Sequence, residues 1–179
     1  MKVSVFGGSQ PKADSPAYVA ARELGVSLAR RGHTVLTGGY IGTMEAVSRG
    51  AADAGGHVIG VTCAEIENWR AVGVNAWVAE EWKRDSLMER LQTLIQECDA
   101  ALALPGGPGT LTEICLYWNL MIIAAMPPRP LILIGEGWQT VFDQVFKTFD
   151  VYISPVQREF VQFAPDGASA VKLLEAGLK

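Results

Sequence analysis

The residues best suited to chemistry lie close together in Pro105-Gly106-Gly107-Pro108-Gly109-Thr110-Leu111-Thr112-Glu113. Glycine costs backbone entropy, so three of them within four positions call for an offsetting role. Main-chain N–H groups at a helix start have no intrahelical partner and, with the helix dipole, favour an anion. A glycine there has no Cβ to hold a phosphate oxygen away. Glu113 has two readings. Thr-x-x-Glu is the spacing of a capping box, in which Thr110 and Glu113 close off free amides at the helix start. Alternatively, a carboxylate one turn into a helix that cradles a phosphate stands within reach of the ligand's sugar. Arg90 also has two. It borders the apolar stripe of Leu87, Leu91, Leu94 and Cys98, so its stem can pack while its guanidinium turns elsewhere. The other reading is a solvated arginine paired with Glu89 or Glu97.

Two further glycine clusters occur, Gly7-Gly8-Ser9 and Gly38-Gly39 with Gly42, and each follows a strand-length apolar run. Such runs alternate with segments of helical period: VSVFGG, YVAARELGVSLARRG, HTVLTGG, TMEAVSRGAADAGG, HVIGVT, and, further on, RDSLMERLQTLIQE, DAALALPGG, TLTEICLYWNLMIIAAM and RPLILIG. The strands are too continuously apolar to have a wet face. The expected fold is therefore α/β, a Rossmann-like doubly wound parallel sheet with helices on both faces, in a single domain over 1–179. In such a sheet the strands' carboxyl ends share one edge, where ligands bind, so the three glycine turns should converge. His33 and His57 follow glycines at helix ends and read as turn residues. Residues 63–83, with Trp69, Trp77 and Trp82, show no regular period; they either cover the site or lie at a subunit contact. The segment Glu113 to Met126 is apolar almost all round and is either core or a dimer face.

Composition narrows the function classes. With 49% hydrophobic and 19% charged residues the chain is globular, and it lacks an apolar run of membrane-spanning length. The start, MKVSVFGGS, has no signal-peptide character, which points to the cytoplasm. Cys63, Cys98 and Cys115 are odd in number and lack metal-ligand spacing, so buried reduced thiols are expected, with no metal site. A net charge of −4 without a basic cluster gives a nucleic-acid surface no support. Gly7-Gly8 lacks the G-x-G-x-x-G dinucleotide pattern, and no Gly-Lys-Ser/Thr is present for a Walker A loop.

PGGPGTLTE resembles the P-G-G-x-G-T-x-x-E motif of the LOG ("Lonely Guy") family of cytokinin riboside 5′-monophosphate phosphoribohydrolases, long labelled lysine decarboxylase-like. VFGGS, TGGYIGTMEAVSRGA and MERL are similar to the family's first loop, second glycine segment and arginine-bearing helix. The likeness implies a homodimer, or a higher homo-oligomer, that binds AMP-type nucleotides without cofactor or metal. By position it implies Arg90 and Glu113 as the catalytic pair. Gly106, Gly107, Gly109 and Thr110 would hold the phosphate with help from Gly38, Gly39 and Gly42, and the first loop would contribute Gly8 and Ser9. The implied reaction is hydrolysis of a nucleoside 5′-monophosphate to free base and ribose 5-phosphate; the alternative is a carrier or sensor that binds a nucleotide or phosphorylated cofactor without turnover. The chain departs from the family pattern at Tyr40, Glu45, Leu91, Thr112 and Leu116. A pyridoxal-dependent decarboxylase is excluded on residues: Schiff-base chemistry needs a lysine, and none lies in a glycine loop or beside Glu113.

Overall fold

In the computed structural model, which describes residues 1–177, the apolar runs form strands and the periodic segments helices. In chain order these are β1 (Lys2–Phe6), α1 (Pro16–Arg30), β2 (Thr34–Thr37), α2 (Thr43–Asp53), β3 (Val58–Cys63), α3 (Ala64–Trp69), β4 (Glu80–Arg84), α4 (Leu87–Gln96), β5 (Ala100–Ala103), α5 (Pro108–Ile122), β6 (Leu131–Ile134), α6 (Glu136–Thr148), α7 (Pro155–Arg158), β7 (Gln162–Ala164) and α8 (Gly167–Ala176). The strands make one sheet of order β4-β3-β2-β1-β5-β6-β7, parallel throughout. This is the doubly wound α/β arrangement expected. The chain winds outward from β1 to one edge, then returns to β1's other side and winds to the opposite edge. The two directions part between β1 and β5, where Phe6 is in register with Ala103. The loops that leave these strands therefore start side by side at the crevice where such sheets bind ligands.

Both faces of the sheet are covered. Val3, Val5, Ala100 and Leu102 face α1, α2 and α8, through Leu24, Leu28, Val47 and Val171. Their neighbours Phe6, Ala101 and Ala103 face the other way, with Ile95 of α4, Tyr117 of α5 and Phe142 of α6. This period of two, with both sides buried, is why the strands read as unbroken apolar runs. Ser4 interrupts the pattern at no cost, since its hydroxyl donates to Leu94 O at 2.6 Å. Gly32 and Gly55 follow α1 and α2 with φ of 74° and 77°, the left-handed helix ends expected before His33 and His57. Among the described residues no helix is long and apolar enough to cross a membrane.

Three expectations need correction. The stretch 63–83, expected to lack regular structure, contains α3 and the edge strand β4. β4 is Glu-Glu-Trp-Lys-Arg, and four charged residues in five leave no apolar run for a strand to be read from. Second, the thiols differ: Cys63 and Cys98 are buried as expected, but Cys115 is exposed on α5. Third, α5 starts three residues earlier than a Thr110 cap requires. Gly107 is the N-cap and Pro108 the first helical residue, a position where proline's missing N–H is harmless. Thr110 and Glu113 are both buried and form no capping box. The box belongs instead to Ser86 and Glu89 at the start of α4, the same spacing one helix earlier.

α1 and α2 pack backbone to backbone. A Cβ on Gly50 would run into the carbonyl of Arg22, and one on Gly25 would come within 2.9 Å of Ala51 N. Alanine normally favours a helix interior over glycine by ~1 kcal/mol. Here Gly50→Ala is expected instead to destabilise the protein by about 1–3 kcal/mol, because the helices must separate. Denaturant unfolding of the variant measures the sign directly.

Candidate functional site

The first loop, Gly7 to Gln10, leaves β1; the second, Gly38 to Gly42, leaves β2; the third, Pro105 to Gly109, leaves β5. They converge as the strand order requires. Gly8 N donates to Pro105 O at 3.3 Å, and Thr43, the first residue of α2, donates to Gly8 O from its backbone N at 2.9 Å and from its hydroxyl at 3.0 Å. Gly42 lies where these loops touch. Its φ is 75°, and a Cβ would stand 2.5 Å from Gly8 O and 2.6 Å from Ser9 Cα. Between the loops lies a cleft of about 370 Å³. That is within the range of small-ligand sites.

Of the expected site residues, Gly8, Ser9, Gly107, Gly109, Thr110, Arg90 and Glu113 line this cleft. The space beside Gly107 and Gly109 is open, so their backbone is approachable at the N-terminus of α5. Gly38, Gly39, Gly42 and Gly106 are not on the cleft wall and act one layer behind it. Gly38 makes room for Arg90: a Cβ there would collide with the guanidinium and stand 2.5 Å from Met44 Sδ. Gly39 O accepts from Asn75 N at 2.8 Å and from its amide nitrogen Nδ2 at 3.0 Å. A Cβ on Gly106 would fill the place of the Thr110 side chain.

Arg90 is buried, contrary to the solvated reading, and the acids proposed as its partners are engaged elsewhere. Glu89 caps α4, and Glu97 pairs with Lys2 at 3.2 Å. The Arg90 Nε donates to Val61 O at 2.8 Å and Nη2 to Gly38 O at 3.3 Å, so the ends of β2 and β3 fix its plane. Nη1 stands 3.8 Å from Glu113 Oε1. The Tyr40 ring packs 5.6 Å from the guanidinium carbon, while its hydroxyl accepts from Cys63 N at 2.8 Å and donates to Cys63 O at 3.1 Å. Burial pushes the Glu113 carboxyl up to about 7, against the opposing pull of Arg90. A carboxyl poised near neutrality beside a fixed cation can exchange a proton with water or stabilise positive charge on a ligand.

Gln10, Met44 and Pro108 on the cleft wall were not foreseen, while Ile66, Trp69 and Arg70 bring to it the segment 63–83, for which covering the site was one of two readings. Ile66, Trp69 and Arg70 come from α3 and its end, in the segment that showed no period. Asn75 was missed too; buried, it holds the second loop by donating to Gly39 O and Tyr40 O, both at 3.0 Å. A buried asparagine in an irregular segment has no spacing signal.

Comparison with known proteins bears on the family and the fold. A model of the SLOG cluster4 family matches residues 1–150. Cytokinin riboside 5′-monophosphate phosphoribohydrolase LOG3 of Arabidopsis thaliana is 32% identical over 178 residues, covering 97% of this chain and 81% of that protein. The chain belongs to this LOG family. Solved structures give the same fold: TM1055 superposes with a TM-score of 0.77 at 30% identity, covering 98% of both chains. The molybdenum cofactor carrier protein of Chlamydomonas reinhardtii superposes with a TM-score of 0.73 at 25% identity, covering 99% of this chain and 97% of that one.

The departures from the LOG pattern fall in three places. Glu45 accepts from the Tyr18 hydroxyl at 2.7 Å, between α1 and α2, and is not on the cleft wall. Leu91, Thr112 and Leu116 instead line one groove between α4 and α5, with Met88, Leu111 and Cys115. Only Tyr40 changes the cleft itself.

Proposed function

We propose that the protein hydrolyses the N-glycosidic bond of a nucleoside 5′-monophosphate, of the AMP or cytokinin riboside monophosphate type, to free base and ribose 5-phosphate. The observation that carries this reading is the buried Arg90–Glu113 pair, which opens on the cleft beside the N-terminus of α5. In the proposed mechanism the phosphate sits against the free amides of Gly107 and Gly109 and the Thr110 hydroxyl. The sugar then lies over Glu113. As the C1′–N bond breaks, the base leaves with the bonding pair and positive charge builds on the ribose. The Glu113 carboxylate faces that charge and takes the proton of the water that adds at C1′, while Arg90 favours the ionised form and orients it. The departing base acquires a proton, so the sum is one water consumed. Incubation with AMP and with an N6-prenylated AMP, followed by chromatography, tests the reading: release of free base together with ribose 5-phosphate is the expected result.

A second reading is binding without turnover. The likeness to the Chlamydomonas carrier protein over nearly the whole chain favours it. Nucleotide recovered intact but bound after the same incubation would select it over hydrolysis.

The partner proposed for the groove between α4 and α5 is a second copy of this chain. Met88 and Leu111 are exposed there, and the three LOG-pattern positions that have turned apolar or neutral lie in it. Pro108 lines both groove and cleft, so such an interface would abut the site. Leu111→Glu is expected to convert a dimer into a monomer in light scattering; a wild-type monomer would overturn the assignment.

A further inference from the structure

The Arg90–Glu113 pair and the glycine loops account for a phosphate and a sugar, but not for the wall of the cleft contributed by α3. Trp69, the last residue of α3, is 79% exposed although it lines the cleft. The other four tryptophans are engaged. Trp118 donates to Gln157 O at 2.7 Å and Trp138 to Leu104 O at 3.0 Å. Trp82 donates to a Glu80 carboxylate oxygen at 2.6 Å, and Trp77 packs against the Arg49 guanidinium at 5.2 Å. Trp69 has its neighbour Arg70 beside it, with the guanidinium carbon 5.5 Å from the ring centroid. Arg70 also lines the cleft. Its Nε is buried and has no hydrogen-bond partner among the described residues. A buried donor without an acceptor is uncommon in native proteins, and an indole this exposed beside a polar cleft leaves a large apolar surface in water.

We infer that Trp69 is the stacking seat for the planar heterocycle of the ligand, with Arg70 bracing the ring and presenting donors to the heterocycle's edge. The inference rests on the nucleotide reading of the cleft and adds to it a base-recognition element. The ligand it specifies is a purine-type heterocycle on a phosphorylated arm: phosphate at the glycine loops, heterocycle at Trp69. Two elements of the sheet edge thus divide the work. The turns after β1, β2 and β5 recognise charge, while α3, after β3, recognises a flat π-surface. Stacking of this kind tolerates any heterocycle of similar size, because every base has a π-face. The donors of Arg70 add preference for acceptors at its rim.

Calorimetry with two ligands separates the parts. The first is a C-nucleotide analogue of AMP, in which a carbon–carbon bond replaces the glycosidic bond so that no hydrolysis occurs. The second is ribose 5-phosphate, which lacks the heterocycle. Trp69→Ala is expected to weaken the analogue by about 5- to 150-fold and to leave ribose 5-phosphate within about twofold. Trp69→Phe, which keeps a stacking face, is expected to recover most of the loss. Unchanged affinity for the analogue in Trp69→Ala, or an equal loss for both ligands, would overturn the seat while leaving the phosphate cradle standing. Failure of the wild-type protein to bind ribose 5-phosphate or the analogue would instead remove the nucleotide reading, and the seat with it.

Discussion

Glu113→Gln is expected to lower base release from AMP by about 10²- to 10⁴-fold, the usual contribution of a positioned proton-transfer group, with the fold intact. The side chain is of equal size, its carbonyl oxygen can still face Arg90 Nη1, and the Arg90 contacts to Val61 O and Gly38 O do not depend on it. The pH dependence supplies a second measure. Because Glu113 ionises near 7, wild-type activity should rise through neutral pH and level off above it, and the variant's residual activity should lack that limb. Stability should run the other way. Below about pH 4.5 both folded and unfolded chains hold the proton; between there and about 7 only the folded chain keeps it, so stability falls as pH rises; above 7 the loss is complete. This group alone therefore costs about 3 kcal/mol at pH 8 relative to pH 4. Glu113→Gln should be at least as stable as wild type at pH 8, in the denaturant titration that shows it to be folded. A variant with full activity would leave Glu113 a purely structural residue.

Gly42→Ala is expected to cost about 3 kcal/mol of stability or more and to weaken binding of ribose 5-phosphate at least tenfold. Its φ of 75° and ψ of −135° lie in a region that residues with a Cβ scarcely enter. The added methyl would also press on the backbone of Gly8 and Ser9, which are on the cleft wall. The two losses have different origins, strain at Gly42 itself and displacement of the first loop, so thermal melting and calorimetry report them separately. An unaltered melting temperature would show that the loop contact yields freely.

The sheet and the convergence of its glycine loops were legible because they arise from strong local signals. Runs such as Val3 to Phe6, with Ser4 the one polar residue in it, and Ala100 to Ala103 are short and mostly apolar, and glycine doublets at their ends leave little choice of where the chain turns. Arg90 was legible only through the motif, since its position at the border of an apolar stripe fits either a buried or a solvated guanidinium. What decides is distant in sequence: the free carbonyls of Val61 and Gly38, and the absence of a Cβ at Gly38. Thr110 and Glu113 misled as a capping pair because spacing is blind to where a helix begins, and Gly107-Pro108 starts this one earlier. β4 was hidden by its charges. The segment of Trp69 was left between covering the site and a subunit contact, and Arg70 and Asn75 were hidden, because a residue that acts singly, from a segment without period, leaves no pattern.

The placement of the cleft between β1 and β5 has a practical consequence. A bound nucleotide would bridge the half of the chain that winds out through β4 and the half that winds out through β7, and would have to leave before those halves could come apart. Heat would then act against ligand concentration: at 100 times the dissociation constant, an exclusive fit to the folded form adds about 2.7 kcal/mol. Screening a panel of phosphorylated nucleosides by melting temperature thus offers a route to the physiological ligand that does not require turnover to be observed.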